Sequence, residues 1–102
     1  MFEFLKKLFG PGTDYKSIMS KNAIIIDVRT PQEFNSVHID GSRNIPLDQI
    51  KSKVAELKKT GKPIITCCRS GARSGMAKSQ LAAAGIEVYN GGAWNSLNNK
   101  IK

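Results

Sequence analysis

A chain of 102 residues has the length of one small domain, which excludes a two-lobed enzyme with a separate cofactor domain. With 40% hydrophobic and 24% charged residues it has the balance of an ordinary folded globule, which excludes a disordered tail or a fibrous rod. Sixteen Lys and Arg against eight Asp and Glu give +8, a charge that favours small sulfur or phosphorus oxyanions, an acidic protein face, nucleic acid or an anionic membrane. The lysines are spread over helix faces without interleaved aromatics, so nucleic acid is not an expected partner.

Met1 to Gly10 reads MFEFLKKLFG, with Glu3, Lys6 and Lys7 interrupting its apolar residues. No stretch there reaches the ~7 to 15 residues of a signal-peptide core or the ~20 of a membrane span, so a cytoplasmic location is expected. The helical spacing suits a short amphipathic turn docked on its own domain. Gly10, Pro11 and Gly12 then break the chain, leaving residues 1–12 as an extension and 13–102 as the domain.

Asp14 to Ser20 allows one or two helical turns. Ala23 to Val28, AIIIDV, is a continuous apolar run with one acid near its end, the pattern of a strand buried on both faces of a parallel sheet. Thr30-Pro31-Gln32-Glu33 forms a capping box with proline at the first helical position, starting a helix that stops near Val37. Arg43 to Pro46 suits a brief extended stretch. Leu47, Ile50, Val54 and Leu57 recur at spacings of three, four and three, one apolar stripe on a helix ended by Gly61. Pro63 to Cys67 reads as the second buried strand, Arg73 to Ala84 as a helix closed by Gly85, and Ile86 to Tyr89 as a third strand. Gly91 and Gly92 precede a terminal helical piece around Trp94. Strands alternating with helices predict an α/β fold with a parallel sheet covered on both faces, and sites at the carboxyl ends of its strands.

Cys67 and Cys68, the only cysteines, are adjacent and cannot close an unstrained disulfide, which fits a reducing compartment. With one histidine, His38, they cannot supply the four ligands of a structural zinc site. The informative segment runs Thr66-Cys67-Cys68-Arg69-Ser70-Gly71-Ala72-Arg73-Ser74. A thiol at a strand end, followed by a short glycine-containing loop into a helix, gathers backbone N–H groups around one point. Together with Arg69 and Arg73 they would lower the thiol pKa from about 8.5. Such a thiolate can attack a sulfane sulfur and hold it as a persulfide, or attack a phosphorus or arsenic oxyanion. Cys67 is expected to fill space in the strand, and the arginines, glycine and helix start converge on Cys68. His38 suits a hydrogen-bonded structural role, and Trp94 a packing anchor.

Three blocks in order, IIIDVRTPQEFNSVHIDGSRNIP, ITCCRSGARSGMA and VYNGGAWNSL, resemble a single-domain rhodanese of the sulfurtransferase family from about Asp14 onward. That family's active loop is written cysteine, four residues, arginine, with glycine three places after the cysteine; Cys68, Gly71 and Arg73 match it, and Ser74 follows. The resemblance implies a three-layer α/β fold, with a mainly parallel sheet of four to five strands between helices. It also implies a thiosulfate-type sulfurtransferase in which Cys68 carries the persulfide and Arg69, Ser70, Gly71, Ala72, Arg73 and Ser74 bind substrate. Asp27 and Arg29, matching the family's Asp-x-Arg, would tie the active loop to the sheet; a surface ion pair is the plainer reading. The implied partners are a small anionic donor such as thiosulfate, a cyanide or thiol acceptor and a sulfur-relay protein, with no metal or organic cofactor. Counting from Cys67 gives the longer loop of phosphatases and arsenate reductases of this fold, one alternative. A sulfur-carrier or binding module without turnover is the other.

Overall fold

In the computed structural model, which describes residues 13–102, the first element is a short helix α1 (Tyr15–Met19) whose amino end is capped by the Asp14 side chain. The extension expected over residues 1–12 lies outside the described residues. The first apolar run is β1 (Ile24–Asp27), buried at every position. Thr30 then starts α2 (Pro31–Ser36), and both halves of the capping box are made: the Thr30 hydroxyl accepts from the Glu33 amide, and the Glu33 carboxylate accepts from the Thr30 amide. A two-residue β2 (Arg43–Asn44), a 3-10 turn (Leu47–Gln49) and α3 (Ile50–Lys59) follow. The second buried run is β3 (Ile64–Cys68), leading into α4 (Ala72–Ala83), β4 (Val88–Ala93) and α5 (Trp94–Ile101).

The four strands form one all-parallel sheet in the order β2-β1-β3-β4. Because side chains alternate along a strand, β1 and β3 serve two cores. Ile24, Ile26, Ile64 and Cys68 face α3 and α4, where Ile50, Leu57, Ala77 and Leu81 pack on them. Ile25, Ile65 and Cys67 face α1 and α5, which supply Ile18 and Leu97. Each large aliphatic side chain so buried contributes roughly 1.5–3 kcal/mol. The same alternation sends the two neighbouring thiols to opposite faces.

The boundary that departs most from expectation is β4, which runs past Tyr89 through Ala93. Glycines normally weaken a strand, but a Cβ on Gly91 would lie 2.8 Å from the Thr66 carbonyl oxygen, 2.8 Å from Leu97 Cδ2 and 2.9 Å from Ile65 Cγ2. Only a residue without a side chain lets β4 and α5 close on β3 here. Gly91→Ala should therefore destabilise by roughly 1–3 kcal/mol, the usual cost of overpacking, read as a lower urea midpoint at unchanged slope.

Candidate active site

Cys68 is the last residue of β3, and its side chain is fully buried at 0% exposure. Its sulfur nevertheless faces polar groups. The Gly71 amide donates to Sγ at 2.9 Å, the Ser74 amide at 3.4 Å, and the Ser74 hydroxyl oxygen lies 3.3 Å away. Gly71 makes this possible: with φ of +105° it turns the chain sharply into α4, which has no side-chain cap, so the free amides of the helix start point at the sulfur. The Thr66 hydroxyl donates to the Ser74 carbonyl at 2.9 Å and pins the start of α4 to the strand beneath. Burial pushes the Cys68 thiol up, but hydrogen bonds from the Ser74 hydroxyl and from the amides of Ser74, Gly71 and Ser70 outweigh it, so the pKa falls below its ordinary 9.0.

Cys67 has the opposite environment. It packs among Ile18, Ile25, Ile65 and Leu97, beside Asp27 in the register of β1 and β3. Burial, with the negative charge of Asp27 adding and Arg29 subtracting, pushes its thiol up to about 12. No ring of amides surrounds it.

The other predicted site residues divide. Arg69, Ser70 and Ala72 are exposed around the loop, and Ser74 is buried under it. The Arg73 guanidinium is engaged by α2 instead of facing the sulfur alone, donating to both carboxylate oxygens of Glu33 at 2.8 and 3.0 Å. Glu33 thus completes the expected helix cap and also holds Arg73 at the start of α4, and only this second role was not announced by its sequence position. Its carboxyl is held at about 2, first by the Arg73 hydrogen bonds and then by the Thr30 amide, against a small opposing effect of burial. The folded-state pKa is depressed, so this interaction stabilises the protein above the ordinary value of 4.5 and is lost as pH falls toward about 2. The stability difference between the parent and Glu33→Gln should be constant at neutral pH, shrink between pH 4.5 and about 2, and stay modest, since solvent reaches the pair. Urea unfolding at a series of pH values reads it.

The side-chain hydrogen bonds of Asp27 and Arg29 run to each other and to the segment after β1, not to residues 69–74. Arg29 Nε donates to both Asp27 oxygens at 3.0 and 2.9 Å, and Nη2 to Oδ2 at 2.7 Å. The second contact of Nη2 is the Val37 carbonyl at 2.6 Å, beyond α2, and the guanidinium lies 5.3 Å from the centre of the Trp94 ring. The pair therefore anchors the segment after β1. It is also no surface pair, with side chains at 1% and 5% exposure. His38 fills the structural role expected, stacked on Phe34 with Nδ1 at 2.7 Å from the Phe34 carbonyl. Among the described residues no His, Cys, Asp and Glu cluster could hold a metal ion, and no helix is long and apolar enough to cross a membrane.

Comparison with known proteins agrees with this architecture. The model of the rhodanese-like domain matches residues 12–96. Among curated proteins the chain is 43% identical over 84 residues to YqhL of Bacillus subtilis, an uncharacterised protein, covering 80% of this chain and 66% of that one. It is 35% identical over 74 residues to the thiosulfate sulfurtransferase PspE of Escherichia coli, covering 71% of each. The chain thus spans about two thirds of the length of these relatives. A solved rhodanese with anions from E. coli superposes with a TM-score of 0.67 at 32% identity, over 72% of this chain and 89% of that one. With a four-stranded parallel sheet between helices and a match running almost from end to end of the described residues, the chain belongs to the rhodanese-like domain family, whose members include thiosulfate sulfurtransferases.

Proposed function

We propose that this protein is a thiosulfate sulfurtransferase, a rhodanese, that carries sulfane sulfur on Cys68. The observation that most supports the reading is the Cys68 sulfur turned onto the Gly71 and Ser74 amides at the amino end of α4. In the first half-reaction the thiolate attacks the outer sulfur of thiosulfate or a persulfide donor. A new S–S bond forms while the donor's own bond breaks, its electron pair leaving with sulfite or a thiolate. The terminal persulfide sulfur is anionic and is held by amides from Arg69 to Ser74. Cyanide or a thiol then attacks that sulfur and restores the Cys68 thiolate. These bond changes need neither a metal nor an organic cofactor.

Arg69, exposed at the loop, draws the anionic donor in, while Arg73 adds its field from its pairing with Glu33. A sulfur-relay protein is a fitting acceptor, and two free thiols suit a reducing, cytoplasmic setting. A phosphatase working through Cys67 has less support, since that thiol is packed on the opposite face and pushed up to about 12. Turnover with thiosulfate and cyanide, run beside a phosphate ester, tests the proposal. Thiocyanate without phosphate release is expected. A persulfide that never turns over would make the protein a carrier module, and phosphate release or no sulfur uptake at all would overturn the reading.

A further inference from the structure

Asn90, in the middle of β4, makes three side-chain hydrogen bonds, two to the active loop and the helix start that follows it and one within its own strand. Its Nδ2 donates to the Gly71 carbonyl at 3.2 Å, its Oδ1 accepts from the Gly92 amide at 2.9 Å, and the same oxygen accepts from the Ser74 hydroxyl at 2.7 Å. The first two contacts fix which end of the side-chain amide is oxygen, because a backbone N–H only donates and a carbonyl only accepts. The Asn90 carbonyl is itself held by the Tyr15 hydroxyl at 2.9 Å.

The Ser74 hydroxyl owns one hydrogen and has competing acceptors. Asn90 Oδ1 lies at 2.7 Å, Cys68 Sγ at 3.3 Å and the Gly71 carbonyl, already served by Asn90 Nδ2, at 3.2 Å. While the sulfur is protonated, S–H can donate to Oγ and the hydroxyl can donate on to Oδ1, so every group is satisfied. An anionic sulfur only accepts. To add a hydroxyl donor to the Gly71 and Ser74 amides, the Ser74 hydrogen has to turn from Oδ1 to Sγ, leaving Oδ1 with the Gly92 amide alone.

We propose that Asn90 is a positioning residue that competes with Cys68 for the single hydrogen of Ser74 and so sets how readily the sulfur is held as an anion. The inference deepens the sulfur-carrier reading and rests on it. The charged groups nearest the sulfur are Arg69, exposed on the loop, and Arg73 of α4, paired with Glu33 of α2, while Asp27 of β1, paired with Arg29, stands beside Cys67 on the other face of the sheet. Cys67 is the neighbouring thiol, and on β4 the Tyr89 hydroxyl is engaged with Glu87.

The test is a pH titration of Cys68 by thiolate ultraviolet absorbance in the parent, Asn90→Ala, Asn90→Asp, Ser74→Ala and both double variants; Cys67, at about 12, stays silent over the useful range. Ser74→Ala raises the midpoint. Asn90→Ala lowers it, with roughly threefold to tenfold more thiolate on the acid side, the equivalent of one hydrogen bond no longer shared. In the Ser74→Ala background Asn90→Ala changes nothing. A merely structural anchor would do the reverse: freeing Gly71 would loosen the amides, and the midpoint would rise in both backgrounds. If Asn90→Ala does not fold, Asn90→Asp decides, since it keeps Oδ1 and grips the hydroxyl harder. Its upward shift must be larger with Ser74 present than absent, and equal shifts contradict the proposal. Sulfur uptake from thiosulfate, followed by intact mass on the parent, separates the two levels. Uptake without coupling refutes only the role of Asn90, whereas coupling without uptake refutes the sulfur-carrier reading.

Discussion

Cys68→Ser is expected to slow sulfur transfer from thiosulfate to cyanide by a thousandfold or more, on the order of the loss of a covalent nucleophile, while Cys67→Ala stays within about threefold of the parent. The argument is the alternation of β3. Two adjacent thiols point to opposite faces, and only one meets the start of α4. Serine at 68 would keep the hydrogen bonds yet remain a neutral alcohol at neutral pH, with no anion to attack sulfur. Alanine at 67 removes a sulfur from the α1 and α5 core, which costs stability and leaves the loop amides in place. Steady-state thiocyanate formation reads both variants, and intact mass shows whether one sulfur atom has been gained. The reverse ranking would move the nucleophile back by one residue and revive the longer phosphatase loop.

The largest stability effect is expected at Asp27. Replacing it with alanine removes the partner of a guanidinium at 5% exposure that gives three hydrogen bonds to that carboxylate, and it strips the acceptor from the Arg29 amide at 3.0 Å as well. An uncompensated buried charge costs roughly 3–5 kcal/mol, a large share of the ~5–15 kcal/mol that holds a small domain together. Urea unfolding should show this loss. Asp27→Leu combined with Arg29→Leu should recover much of it, because no stranded charge remains. A loss under about 1 kcal/mol for Asp27→Ala would mean the pair behaves like an exposed one.

What the sequence made legible was local. The run AIIIDV, the Thr30–Glu33 box and the Leu47–Ile50–Val54–Leu57 stripe announced β1, α2 and α3, because periodicity and caps act within one or two turns of chain. The placement of Cys68 before a glycine turn and a helix was equally local, and the amides lie where that pattern puts them. What escaped was pairing between distant segments. Arg73 meets Glu33 across forty positions of sequence, Arg29 reaches the Val37 carbonyl instead of the loop, and Asn90 joins β4 to Ser74. No spacing rule encodes such contacts. The extension of β4 through Gly91 escaped for a related reason: the glycines read as breakers, and only the crowding of Thr66, Ile65 and Leu97 shows why the strand needs one there.

The proposed chemistry rests on the placement of the sulfur within this fold. A buried thiol is normally a poor nucleophile, and Cys67 is one. Its neighbour differs in which face of β3 it occupies, and there the Ser74 hydroxyl together with the backbone donors of Ser74, Gly71 and Ser70 overcomes the penalty of burial. The most direct measurement is the rate of Cys68 alkylation by a small neutral haloacetamide as a function of pH, in a Cys67→Ala background. A midpoint below the ordinary thiol value of 9.0 is predicted. A midpoint at or above it would mean that the amides do not hold an anion, and the sulfur-carrier account would fail.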